Sequence, residues 1–191
     1  MGKYSEFERE GRDFYPTPMK AAIPVGPFLK DLRYIEPCAG DGRLIEHIRM
    51  IQPTASCIAA FDIEPQAEEA VGVRIIQRDI IKEGFKTKIT EYADCFVTNP
   101  PWINNKDSGF QLNTIIESLS SLLPTWLLMN GSFVFNKKSA PYMRMCTDVV
   151  PIGRVRWIEG SAHSGKEDCA WYRFDNRDKE TKLTYIHPRK D

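Results

Sequence analysis

Asn99-Pro100-Pro101-Trp102 directly follows a short β-leaning run, Asp94–Thr98 (DCFVT). Consecutive prolines fix φ and remove backbone donors, which leaves carbonyls that no local N–H claims. An asparagine oxygen beside such a carbonyl gives two acceptors close together. That pair suits the two N–H groups of a planar amine. Held in this way, the nitrogen lone pair is drawn out of conjugation and aimed at an electrophile. A neighbouring tryptophan suits the flat ring that carries the amine, by stacking on it. A proline-rich turn has the same composition, but it does not account for the motifs upstream.

The first of these is Glu36-Pro37-Cys38-Ala39-Gly40-Asp41-Gly42, between a strand and a helix. Glycine permits positive φ and close backbone approach, and a helix N-terminus offers free N–H groups. The spacing is neither GxGxxG nor a P-loop, and no GK[ST] follows, which counts against nucleotide hydrolysis. Glu36 and Asp41 suit an ammonium group, which an amino-acid moiety has and a nucleotide lacks. Asp62, in AFDIEP, ends a second strand and suits ribose hydroxyls, with Ile63 beside it. Asp79, in IIQRDII, follows a third strand next to Ile80 and suits an adenine amino group. Taken alone, Asp79 reads equally well as a capping acid. Near the N-terminus, Phe14-Tyr15-Pro16-Thr17-Pro18 reads as a helix start with proline at the first helical position. The Thr17 hydroxyl and nearby N–H groups suit a carboxylate.

The elements that would position these residues alternate. Strands are expected at Arg33–Glu36, Ser56–Asp62, Val73–Gln77, Asp94–Thr98 and Trp126–Met129, and helices at Gly42–Ile51, Pro65–Ala70 and Phe110–Leu123. Two late strands, Val155–Ile158 and Ala170–Phe174, flank a polar loop. Alternation predicts a mostly parallel α/β sheet with ligands beyond the carboxyl ends of its strands. The candidate residues fall just after those strands.

Hydrophobic residues make up 42% and aromatics 11%, which is enough to build a packed core in one domain. No apolar run is long enough to span a bilayer, and the polar N-terminus is no secretory signal. The five cysteines are scattered without a CxxC. Neither a metal site nor a disulfide framework is therefore expected, and a cytoplasmic location is. Formal net charge is +0, whereas dedicated nucleic-acid binders are usually basic. A local basic face remains open, with Lys137, Lys138, Arg154, Arg156 and Lys166 as its candidates. The histidines are dispersed and carry no assigned chemistry.

Together, FYPTP, EPCAGDG, AFDIEP, RDI and NPPW resemble the amino-methyltransferase branch of class I S-adenosylmethionine-dependent enzymes. The nearest likeness is to small phage-type DNA N6-adenine methyltransferases, and it covers nearly the whole chain. The resemblance implies a Rossmann-like, seven-stranded, mostly parallel sheet with one antiparallel strand and helices on both faces. It implies one catalytic domain over 1–191, with an N-terminal cofactor segment (1–30) and a tail (175–191). It assigns the cofactor to Tyr15, Thr17, Glu36–Gly42, Asp62, Ile63, Asp79, Ile80 and Asn99, and catalysis to Asn99, Pro100, Pro101 and Trp102. DNA is the favoured partner. The residues after Phe174 are too few for a target-recognition domain, so specificity is expected to be short, relaxed or supplied by a partner, in a monomer or homodimer. NPP[YFW] motifs also serve RNA bases and protein glutamine. A silent cofactor- or DNA-binding anti-restriction protein is a further alternative.

Overall fold

The computed structural model describes residues 15–84, 88–102, 112–158, 165, 167–177 and 184–185. The central strands are apolar on both faces, and alternate residues enter different cores. Ile35, Phe96, Leu127, Met129, Ala170, Tyr172 and Phe174 join one cluster. Their neighbours Tyr34, Cys95, Val97, Trp126, Leu128, Cys169 and Trp171 join the other. A strand has a side-chain period of two, so such runs require cover on both faces.

The strands are β1 (Arg33–Glu36), β2 (Ser56–Asp62), β3 (Glu69–Ala70), β4 (Val73–Gln77), β5 (Cys95–Thr98), β6 (Thr125–Asn130), β7 (Cys146–Arg154), β8 (Asp168–Phe174) and β9 (Thr184–Tyr185). They form one nine-stranded sheet in the order β3-β4-β2-β1-β5-β6-β8-β7-β9. Seven strands are longer: six lie where the sequence placed them and β7 takes the place of the seventh, while β3 and β9 are short additions at the two edges. Among the seven, β8 alone runs antiparallel to its neighbours β6 and β7. One face is covered by α1 (Met19–Ala22), the 3-10 segment Ile23–Leu29 and α2 (Arg43–Ile51), through Ala21, Ala22, Val25, Leu29, Leu44 and Ile48. The other is covered by α3 (Leu112–Ser120), through Leu112, Ile115, Ile116 and Leu119, and by the short α4 (Ala140–Met143). The buried Trp171 indole donates to the Ala21 carbonyl at 2.7 Å and ties β8 to α1. Among the described residues, no helix is long and apolar enough to cross a membrane.

Three local expectations are corrected. Pro65–Ala70 is not a helix: bends lead into β3, which pairs antiparallel with β4 through Ala70↔Val73. The two-residue turn between them has positive φ at both positions, 52° at Val71 and 76° at Gly72. Val155–Ile158 is not a strand: the late partner of β8 is β7, which covers Cys146–Arg154 and ends just before that segment. Pro151 and the positive-φ Gly153 hide β7 in the sequence, and both are accommodated at a register shift. Thr17 does not cap a helix, because Pro18 is the N-cap of α1 and no side chain bonds there.

The Val71 conformation yields a first prediction. Hairpin turns with positive φ at both positions favour Asn-Gly, and a β-branched residue there is strained. Val71→Asn is therefore expected to stabilise the chain by about 1 kcal/mol, read as a higher urea midpoint. An unchanged or lower midpoint would mean that Val71 contributes contacts worth more than its strain.

Candidate functional site

The glycine-rich turn is stitched to the end of β2 before α2 begins. Ala39 N–H donates to the Phe61 carbonyl at 2.8 Å, and Gly42 N–H to the Ala39 carbonyl at 2.7 Å. Gly40 and Gly42 have φ of 55° and 79°, in the left-handed region that favours glycine. A Cβ at Gly42 would also lie 2.3 Å from the Ala70 Cβ, so the β3 hairpin packs directly onto the turn.

Asp62 holds this turn from the carboxyl end of β2. Its Oδ2 accepts from Gly40 N–H and its Oδ1 from Glu64 N–H, both at 2.8 Å. Each carboxylate oxygen keeps a further lone pair. Ile63 beside it is 50% exposed, whereas Ile80 is buried. Asp79 has taken up its capping role: Oδ1 accepts from the Ile81 and Lys82 N–H groups, each at 3.1 Å, and Oδ2 lies 3.5 Å from Lys82 Nζ. Asp41 is likewise engaged locally, with the Arg43 N–H and guanidinium.

Glu36 differs from these acids. It is fully buried at the carboxyl end of β1, and Oε1 accepts weakly from Cys38 N–H at 3.4 Å. Among the described residues its Oε2 has no hydrogen-bond partner, and the Thr98 hydroxyl on β5 is the polar group that faces the carboxyl. Burial pushes the Glu36 carboxyl well above the usual carboxylate range, and Asp62 adds to the push. Burial likewise raises the Cys38 thiol, which stays protonated.

The NPPW residues lie beyond the carboxyl end of β5, next to this turn. Asn99 is reached from the N-terminal segment: Nδ2 donates to Thr17 Oγ1 at 3.1 Å and to the Tyr15 carbonyl at 3.5 Å. Its Oδ1 accepts from the Trp102 indole N–H at 3.2 Å. A carbonyl only accepts and an indole N–H only donates, so these partners fix which way the amide points. Trp102 also donates to the Leu128 carbonyl at 2.9 Å and meets Trp157 edge-on, with ring centroids 5.2 Å apart. Pro100 is buried and Pro101 half-buried.

A cleft opens beside Trp102, walled by Met129, Asn130, Phe133, Asn136 and Lys138. Asn130 and Asn136 are not among the sequence candidates, and Trp157, which the sequence offers as core, packs against the core beside Trp102. Asn130 is the last residue of β6, a strand-end position of the kind that marks the other candidates. Lys137 and Lys138 are exposed on the segment after β6, and Arg154 and Arg156 are exposed at and beyond the end of β7. All four lie on the side of the sheet that carries Asn99. Lys166 lies outside the described residues.

No protein-family model matches the sequence, and no curated protein does. Solved structures match the fold. A methyltransferase subunit of a type I restriction-modification system from Streptococcus thermophilus is 11% identical, with a TM-score of 0.61 over 91% of this chain and 47% of that one. A protein from Pyrococcus horikoshii assigned as an RNA methyltransferase is 12% identical, with a TM-score of 0.59 over 84% and 85%. A dimethyladenosine transferase from Plasmodium falciparum is 15% identical, with a TM-score of 0.52 over 84% and 62%. The fold is that of the class I methyltransferases. The chain thus spans about half the length of the restriction-modification subunit. In this fold the β1 turn, the end of β2 and the end of β5 converge, as they do around Glu36, Asp62 and Asn99 here.

Proposed function

We propose that the chain transfers a methyl group from S-adenosylmethionine to the exocyclic N6 amine of adenine in DNA. Asn99 carries this reading. Its amide is oriented by Thr17, Tyr15 and Trp102, beside two prolines, and Trp102 in turn borders a cleft. The turn residues fit the cofactor. Glu36 Oε2 is a buried acceptor without a partner among the described residues and suits an ammonium. Asp62 keeps lone pairs for ribose hydroxyls, and Ile63 offers an apolar surface to a flat ring. Bound there, S-adenosylmethionine supplies an electrophilic methyl group on a sulfonium. The protein then acts mainly by positioning. Asn99 Oδ1 and the Pro100 carbonyl accept the two amine hydrogens and turn the lone pair toward the methyl. Trp102 lies along the wall of the base cleft. The amine proton released by the transfer leaves to water.

The restriction-modification and dimethyladenosine relatives support an adenine substrate. The archaeal match, which covers 85% of a chain of similar extent, supports RNA as the second reading. The test offers methyl-labelled S-adenosylmethionine with unmethylated duplex DNA, with total RNA and with a protein lysate. Label recovered from DNA as N6-methyladenine is the expected result. Label in RNA or protein alone would replace the substrate, and none anywhere would leave a silent binder.

In this reading Thr17 is a positioning residue. Thr17→Val removes the acceptor for Asn99 Nδ2 and keeps the side-chain volume. It should lower kcat about tenfold, the scale of one hydrogen bond, with KM nearly unchanged, and Thr17→Ser should restore it. An equal loss in both variants would point to packing instead.

A further inference from the structure

Phe135 is 86% exposed, on the segment that follows β6. Two residues earlier Phe133 is packed edge-on against Tyr172, with centroids 5.6 Å apart, and against Phe174. The core therefore takes one of the two phenylalanines and leaves the other in solvent. The segment is well tied. Asn130 Oδ1 accepts from Ser132 N–H at 2.8 Å, and Asn136 Oδ1 from Lys138 N–H at 3.0 Å. The Ser139 hydroxyl is within hydrogen-bond distance of the Phe133 and Asn136 carbonyls, at 2.5 and 2.6 Å. Phe135 is thus a bare aromatic on a braced support, followed by the exposed Lys137 and Lys138. Lys138 and Asn136 also wall the cleft that Trp102 borders.

We propose that this segment is a nucleic-acid lip, with the Phe135 ring stacking on a nucleobase next to the one in the cleft and Lys137 and Lys138 meeting the flanking phosphates. The proposal rests on the reading of the cleft as a base site. An aromatic platform beside cations is sequence-tolerant, since every base has a π-face. It supplies a local basic and aromatic contact in a chain whose formal net charge is +0. A braced ring loses little entropy on stacking. A base drawn out of a duplex leaves its neighbour unstacked, and Phe135 stands where it can cover that neighbour.

The test uses the full chain and a fluorescein-labelled, mixed-sequence DNA duplex, read by anisotropy across a salt series. Phe135→Ala should weaken binding on the order of tenfold with the salt slope unchanged, and Phe135→Trp should retain affinity and gain an indole emission that the duplex quenches. The double variant Lys137→Ala/Lys138→Ala should reduce the salt slope by roughly two. Melting temperature and calorimetric S-adenosylmethionine binding confirm that each variant is folded. Affinity of Phe135→Ala within twofold of wild type, or a Trp variant that is not quenched, overturns the lip. Wild-type methyl transfer to nucleic acid with either of those results leaves the base-site reading standing. Transfer to protein alone, with no binding to the duplex or to RNA, overturns both.

Discussion

Replacing Asn99 with alanine is expected to lower methyl transfer by at least about 10³-fold while changing the S-adenosylmethionine dissociation constant less than about threefold. The two halves of this expectation come from different atoms. The residues that fit the cofactor are on the β1 turn and the end of β2, and they are held by backbone bonds such as Gly40 N–H to Asp62. Asn99 contributes none of those bonds. Its amide is held by Thr17, Tyr15 and Trp102, and in the proposed reading Oδ1 acts together with the Pro100 carbonyl. Removal of Oδ1 leaves one of two acceptors for the amine, so the lone pair loses its direction. A single-turnover rate with label in saturating nucleic acid reads the first half, and calorimetry reads the second. Loss of cofactor binding in step with turnover would mean that Asn99 chiefly holds the cofactor. Retained turnover would remove Asn99 from the mechanism.

The parts of the site that could be read from sequence are those where the backbone itself demands a residue type. Gly40 and Gly42 adopt positive φ, and Gly42 has no room for a Cβ, so the turn announces itself. The central strands are covered on both faces, and their continuous apolar runs reveal them. The misread parts depended on competition between local and distant partners. PQAEEA is composed of residues that tolerate helix, yet the Val71-Gly72 turn and pairing with β4 win. The sequence offers the Thr17 hydroxyl to a carboxylate, but Asn99, far along the chain, donates to it. Pro151 and Gly153 look like strand breakers, and a register shift absorbs them. The segment 131–139 carries two phenylalanines two residues apart. Nothing local shows that Phe133 is packed inward and Phe135 left outside.

Glu36 carries the other large effect, and its sign can be worked out. An unfolded chain ionises this carboxyl near the ordinary value of 4.5, whereas burial holds the native one protonated well above it. Through that interval the unfolded state has lost a proton that the native state keeps. The stability that the protonated group contributes is present at low pH and is lost as pH rises, by about 1.4 kcal/mol per pH unit. Glu36→Gln has nearly the same shape and no proton to lose. It should melt higher than wild type at pH 7 and about level with it near pH 4.5, with a flatter profile between. The groups around it do not supply this trend: the Asp62 charge only adds to the upward push, and the Tyr34, Cys38 and Cys57 protons are themselves held by burial. In the proposed reading the cofactor reverses the preference. An ammonium at Oε2 favours the carboxylate, so binding above the ordinary carboxylate range should release a proton, seen as a calorimetric enthalpy that changes with the ionisation heat of the buffer. Glu36→Gln should abolish that release and weaken binding by about 10- to 100-fold. A variant that is more stable yet binds as tightly as wild type would leave Glu36 with a buried charge problem and no ligand to justify it. A variant that is both more stable and a weaker binder shows the native chain giving up folding free energy to keep an acceptor ready for the cofactor.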